Sequence, residues 1–316
     1  MEKIRVAVIG GSLSGLTSAF LLYTAALNHV QLDVSVFETD SVVPSELEQA
    51  FVADTETELL ALLKSLAIEF TPRLSSAPST EVVSLMKLMV SEVLKLNSRQ
   101  LIQKPGDWSQ KESSYLDTLD SMSILDFLSQ REIPMENMED MLSASILSLY
   151  ADRFETLSAL NALRFVSQYL RCRSFYAIKG GNNVLPNALL AALNQEGQRV
   201  FFQQAVTEIK ETDKQWQLSF AAGHQAEFDY VVMARGHDCP EKCSGFQLND
   251  RASMAVKKDG LFHVGRHICL EAPSTMGGAV KSAYKVIREQ LLPLIGPEIS
   301  EQAAEQGVVQ LLETRQ

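Results

Sequence analysis

The sequence predicts an α/β fold, a doubly wound parallel sheet with an inserted, mainly helical domain. Three observations predict it. A short β-branched apolar run, Ile4 to Ile9, stops at glycines and is followed by residues with helical spacing. A second apolar run, Leu32 to Glu38 (LDVSVFE), alternates as a strand. Strand-like segments then return only after Phe175, beyond a long helical middle.

Taken in order, Leu16, Ala19, Phe20, Tyr23 and Leu27 recur at three and four, the spacing of a helix packed on a sheet. The opening is therefore β, glycine turn, α, β. Glu46 to Leu66 and Ser79 to Leu96 read as helices, and Lys104 to Ser113, with Pro105 and Gly106, reads as a polar loop. Helical spacing resumes from Ser123 to Leu170 and breaks near Pro134. Strands are expected at Phe175 to Ile178, Val200 to Phe202, Ala205 to Lys210, Gln215 to Phe220, Phe228 to Ala234 and Leu261 to Val264. Helices are expected at Pro186 to Asn194 and from about Gly277 to Leu292, and the tail beyond Pro297 reads as polar. The division that follows is a discontinuous nucleotide-binding domain over 1–75 and 176–300, a helical substrate-type domain over 76–175, and a polar tail over 301–316.

Composition narrows the function classes. With 46% hydrophobic and 21% charged residues, the chain can bury one large core or two modest ones. A formal net charge of −11 argues against nucleic acid as a partner, since that affinity comes from clustered Lys and Arg. Four scattered cysteines do not make a disulfide scaffold and fit a reducing cytoplasm. Lys3 and Arg5 precede an apolar stretch reminiscent of a signal peptide, but Gly10, Gly11, Ser12 and Ser14 interrupt it. No apolar run is long enough to predict a membrane span.

The glycine turn Gly10-Gly11-Ser12-Leu13-Ser14-Gly15 matches G-x-G-x-x-G at its first and last glycines and carries Ser12 at the second. In that pattern the middle glycine lets the backbone approach a pyrophosphate, while the helix N-terminus supplies N–H groups and partial positive charge. Ser12 either donates a hydroxyl hydrogen bond there or crowds the ligand. Glu38 closes the second strand, where an acidic side chain would accept hydrogen bonds from the ribose hydroxyls of an adenine dinucleotide. The bland alternative is a sheet corner whose glycines serve close packing alone. The order strand, turn, helix, strand, Glu favours the nucleotide site.

VAVIGGSLSGLTSAFLL together with VSVFE resembles the opening of the flavin-dependent amine oxidases, of the monoamine oxidase and protoporphyrinogen oxidase type. RFETLSALNALRFV resembles their helical substrate-domain segment. FYAIKGGNNVLPNALLAAL with VFFQQAVTEIK resembles their segment at the adenine end of FAD, which includes Val206, and FDYVVMA resembles the strand after it. GLFHVGRHICLEAPSTMGGAVKSAYKVI resembles the last flavin-contacting motif. The resemblance implies a Rossmann-like FAD-binding domain, FAD as cofactor and a small-molecule substrate. It assigns Gly265, Arg266, Met276, Gly278 and Ala279 to the flavin motif, where the first N–H groups of a helix face the pyrimidine edge and suit an anionic reduced flavin.

Three departures from the family pattern stand out. Ser12 replaces a glycine, Arg266 stands where an acidic partner of the ribityl chain belongs, and TDSVVPSELEQ after Glu38 lacks the usual Gly-Gly-Arg. Between Ala234 and Leu261 the chain is also shorter than typical members. No lysine aligns with the one that holds a water near flavin N5, and Lys257 and Lys258 read as a solvated turn. No catalytic residue is assigned.

Other residue groups carry weaker signals. His237, Cys239 and Cys243 form H-x-C-x3-C, but three ligands with no evident fourth do not make a zinc site, and no metal is expected. His263 and His267 flank Gly265 as candidate bases, with a structural role favoured for both. Tyr150, Phe154, Phe165, Tyr169, Phe175 and Tyr176 either line a substrate cavity or form aromatic core. The leading expectation is an FAD-dependent oxidoreductase that oxidises a C–N or C–C bond by hydride transfer to flavin. The alternative is a noncatalytic relative with weak or lost FAD binding, serving as a partner or scaffold subunit. A protein partner or a homodimer is a separate expectation, tied to neither reading.

Overall fold

The computed structural model describes residues 3–26, 32–43, 51–72, 80–95, 110–131, 140, 142, 154–195, 199–213, 215–234, 259–269 and 275–296. At its centre lies β1 (Ile4–Ile9), flanked by β2 (Leu32–Phe37) and β10 (Tyr230–Met233). With β6 (Val200–Phe201) and β11 (Leu261–His263) they form a five-stranded parallel sheet in the order β11-β10-β1-β2-β6. The pairing runs Phe201 to Phe37, Phe37 to Ile9, Ile9 to Met233 and Met233 to His263. All five strands therefore end on one row, and every loop that leaves them starts from the same edge. In open parallel sheets that carboxyl edge is where ligands bind.

Both faces of this sheet are covered, as a parallel sheet requires. On one face Val6, Val8, Val34 and Val36 pack with α1 (Leu13–Ala26), α2 (Thr57–Ser65), α7 (Val184–Leu193) and α8 (Met276–Val286). On the other, Ala7, Ile9, Val231 and Met233 meet Trp216, Leu218, Phe220 and Phe228 of an antiparallel sheet. That second sheet is β7 (Val206–Glu211), β8 (Trp216–Phe220) and β9 (Gln225–Phe228). The Phe37 ring joins the two sheets, stacked on Phe201 and edge-on to Phe220 and Phe228.

Helix α1 is buried on every side, not along one stripe as its spacing suggested: Leu21, Leu22 and Ala25 are as enclosed as Leu16 and Phe20. Two of its polar side chains are satisfied locally, Ser18 donating to the Ser14 carbonyl and Thr24 to the Leu21 carbonyl, while the buried Thr17 hydroxyl has no hydrogen-bond partner among the described residues. A third sheet, β3 (Val52–Ala53), β4 (Phe70–Pro72) and β5 (Phe175–Ile178), is antiparallel in the order β3-β5-β4. A separate core gathers Leu85, Met89, Leu116, Phe127, Leu160 and Leu163 from α3 (Thr80–Lys95), α4 (Gln110–Ser121), α5 (Ile124–Ser129) and α6 (Ala159–Arg171).

Several expectations need correction. Glu46 to Leu66 is not one helix: Val52 and Ala53 pair with Tyr176 and Phe175, so tertiary pairing overrides helical spacing until Thr57. Within the expected loop Lys104 to Ser113, helix α4 already starts at Gln110. Phe228 to Ala234 is two strands. At Asp229 the chain passes from the antiparallel to the parallel sheet, fixed by its N–H to the Arg5 carbonyl and by its carboxylate to the Arg5 N–H at 2.7 Å. The final helix leaves α-geometry at Ile287–Leu291, a π segment ahead of α9 (Leu292–Ile295), where Pro293 has no N–H for an α ladder. Phe154 and Phe165 pack on the helical core, whereas Phe175 and Tyr176 belong to β5. Pro134, Tyr150 and the tail beyond Pro297 lie outside the described residues, and nothing is described of the Tyr169 side chain. Among the described residues, no helix is long and apolar enough to cross a membrane.

The helical core is closed by one charged cluster. Glu92 on α3 is 4% exposed and accepts from Arg131 at 3.0 Å and Lys95 at 2.5 Å. Arg131 also donates to the Phe127 carbonyl and lies 3.5 Å over the Phe127 ring. Burial by itself would push the Glu92 carboxyl up, but the hydrogen bonds from Arg131 and Lys95 outweigh it and hold it below the ordinary carboxylate value. A depressed folded value means stability that is present above the unfolded carboxyl's titration and lost as pH falls through the folded one. Arg131→Ala is expected to cost about 2 kcal/mol at neutral pH in denaturant melts, a deficit that shrinks as acid protonates Glu92.

Candidate functional site

The loops at the carboxyl edge bring together the glycine turn, Glu38 and Ala234. Gly10 turns with φ at 110°, and its N–H donates to the Phe37 carbonyl. The Gly10 carbonyl then passes directly beneath Gly15, where a Cβ would stand 2.1 Å from that oxygen and 2.9 Å from the Ala234 Cβ. Gly15 is thus the point at which α1 is allowed to approach β1 and β10.

Ser12 stands immediately before α1, and its carbonyl accepts the Leu16 N–H. Its hydroxyl donates to the Ala234 carbonyl at 3.0 Å. Since a hydroxyl has one proton, the 3.0 Å contact between Ser12 and Ser14 must be donated by Ser14. Neither proton is then directed to a phosphate. An anion at this turn would meet backbone N–H groups and the positive end of α1. The alternatives left open for Ser12 thus narrow: its hydroxyl is turned back onto the strand β10 side.

Glu38 is 6% exposed. Its carboxylate accepts the Gly11 N–H at 2.5 Å and the Asp40 N–H at 3.0 Å. A carboxylate offers about four lone-pair sites, so acceptor capacity remains for ribose hydroxyls. The adjoining backbone ties Glu38 to the adenine-side segment, with Glu38 N–H on the Phe201 carbonyl and Gln204 N–H on the Glu38 carbonyl. Val206, two residues on, is buried at the start of β7. These residues fit the adenosine and pyrophosphate half of FAD: a glycine cradle that a Cβ would fill, a helix N-terminus and a buried acceptor side by side.

The second group of residues lies after β11 and at the start of α8. The Gly265 N–H donates to Ser282 of α8 at 3.0 Å, and a Cβ at Gly265 would collide with the buried His267 ring, 2.3 Å away. That contact gives His267 a packing role. His263 lies on β11, and Arg266 is half-buried. Thr275 caps α8: its hydroxyl accepts the Gly278 N–H at 2.8 Å and its carbonyl accepts the Ala279 N–H. The Gly277 N–H donates to Glu56 at 3.1 Å, and the other oxygen of Glu56 accepts the Ala53 N–H at 2.8 Å. The N-terminus of α8 therefore already faces a carboxylate of the chain itself.

Ala234, Glu56, Thr275 and Ser282 are site residues that the sequence reading passed over. Thr275 carries a readable signal, a Thr just ahead of a glycine-started helix. Glu56 carries none, because its partner is 221 residues away. His237, Cys239, Cys243, Lys257 and Lys258 lie outside the described residues, and among the described residues no group of three or more His, Cys, Asp or Glu side chains could hold a metal ion. Cys172 is hydrogen-bonded to Thr55 at 3.3 Å, and burial pushes its thiol up, away from a reactive thiolate.

The two turn glycines should respond differently to a methyl group. At Gly11 the added Cβ would lie 3.0 Å from a Glu38 oxygen, on a side chain that can shift, whereas at Gly15 it meets backbone. Gly15→Ala is expected to destabilise the protein by about 3 kcal/mol or prevent folding, and Gly11→Ala by about 1 kcal/mol, read from thermal or urea melts.

Comparison with known proteins bears on the family and the fold. The family model described as flavin containing amine oxidoreductase matches residues 46–238. A solved putrescine oxidase bound to putrescine superposes with a TM-score of 0.66 at 12% identity, covering 92% of this chain and 99% of that one. The cyclohexylamine oxidase of Brevibacterium oxydans IH-35A superposes with a TM-score of 0.52 at 18% identity, covering 74% of this chain and 58% of its own. At such identities the structures show a shared fold, while the family match spans more than half of the chain. The protein belongs to the flavin containing amine oxidoreductases.

Proposed function

We propose that the protein is an FAD-dependent oxidoreductase of the amine oxidase type, oxidising a C–N or C–C bond of a small molecule by hydride transfer to flavin. The observation that carries this reading is the placement of Gly10–Gly15 and Glu38 at one carboxyl edge, with the segment leading to Val206 hydrogen-bonded to the Glu38 backbone and Glu38 buried and still able to accept. FAD, when bound, supplies the hydride acceptor. The chain's residues would do the placing: the turn and α1 would hold the pyrophosphate, Glu38 the ribose, and the loop of Gly265 and Arg266 with the start of α8 at Met276, Gly278 and Ala279 would border the ring. Residues 1–75 and 176–300 would form the cofactor domain, and the helices of 76–175 would cover the substrate.

The competing reading is a noncatalytic relative acting as a partner or scaffold subunit. It draws support from Arg266 and from the absence of Gly-Gly-Arg after Glu38. Visible absorption of the purified protein, before and after adding FAD and removing the unbound fraction, separates the two. Flavin bands that stay with the protein, and bleach when a suitable amine is added, are the expected result. Glu38→Ala should weaken FAD binding about tenfold or more while leaving a folded protein, as read by fluorescence titration and circular dichroism. A wild-type protein that stays colourless would overturn the oxidase reading.

A further inference from the structure

We infer that Glu56 is the chain's own occupant of the anion position at the N-terminus of α8, and that a flavin ring takes that position only by displacing it. The inference rests on the flavin reading above. Glu56 directly precedes α2, yet its side chain makes no hydrogen bond to the start of that helix. It reaches instead across the fold to the Gly277 N–H, with its other oxygen on Ala53. Thr275 already caps α8 at the Gly278 N–H, which leaves the Gly277 N–H to Glu56.

Two further features make the contact specific. The first turn of α8 carries no acidic residue of its own, so its partial positive charge is met from outside. Gly277 has no side chain to obstruct the approach: a Cβ there would lie 2.2 Å from a Glu56 oxygen and 2.7 Å from its carboxyl carbon. Gly277 lies between Met276 and Gly278, which the family resemblance sets at the pyrimidine edge of the flavin, an edge that accepts hydrogen bonds and gains negative charge on reduction. A ring edge that takes the Gly277 N–H would have to displace the Glu56 carboxylate, and the charge it gains on reduction would be opposed by that carboxylate. Glu56 would therefore weaken FAD binding at the ring end and leave the nucleotide end, at Gly10–Gly15 and Glu38, untouched.

The test measures affinities for FAD and for ADP by fluorescence titration in the wild type, Glu56→Ala and Glu56→Gln, with thermal melts to establish folding. ADP reports the nucleotide end and should bind all three within about twofold. FAD should bind Glu56→Ala about tenfold or more tightly than the wild type, with Glu56→Gln in between because its amide oxygen can still accept but carries no charge. Equal or weaker FAD binding in Glu56→Ala, with ADP binding intact, would overturn the inference while the flavin reading stands. If neither FAD nor ADP binds any of the three, the flavin reading falls and the inference falls with it.

Discussion

The Gly10 carbonyl and the Cα of Gly15 lie so close that a methyl group could not be placed between them, and the Ala234 methyl closes the same gap from the neighbouring strand. This contact presses the first turn of α1 against the ends of β1 and β10. Once α1 is seated, its Leu13, Leu16 and Phe20 complete the core with α7 and α8, and the glycine turn cannot drift from the carboxyl edge. Because the five strands end on one row, the same constraint sets Glu38, Ala234 and the loop after β11 beside the turn. Packing and site geometry are here one requirement.

Much of the sheet was legible because buried parallel strands are nearly all apolar and β-branched, as in IRVAVI and YVVM. The turn was legible because glycine has few substitutes where backbone crosses backbone. What was not legible depended on distant partners. Val52 and Ala53 look helical in their own neighbourhood and become a strand only through Phe175 and Tyr176. Asp229 divides one apolar run into two strands because it bonds to Arg5, 224 residues away. The spacing in α1 suggested a single buried stripe, although sheet and helices enclose it on all sides.

The candidate site divides in the same manner. Gly10, Gly11, Gly15 and Glu38 could be read from local order alone, since strand, turn, helix and strand are contiguous. The role of Ser12 could not, because it depends on the carbonyl of Ala234, 222 residues later. A serine at the position of the second glycine looks like a steric fault in sequence. With its hydroxyl turned onto that carbonyl and Ser14 donating in turn, it joins the turn to β10.

The two ends of the site also differ in how their charges are arranged. At the glycine turn, the buried carboxylate of Glu38 holds the Gly11 and Asp40 N–H groups and retains acceptor capacity. Near the ring end, the acidic residue expected after Gly265 is replaced by Arg266, while a carboxylate arrives from another element as Glu56. The change alters what that carboxylate does. In the family pattern an acidic side chain after the glycine accepts from the ribityl chain, so its charge assists the cofactor. At Glu56 the charge instead meets the N-terminus of α8. On the proposed flavin reading, such a site would hold the nucleotide half by contacts that are already formed, while the ring edge would have to displace Glu56.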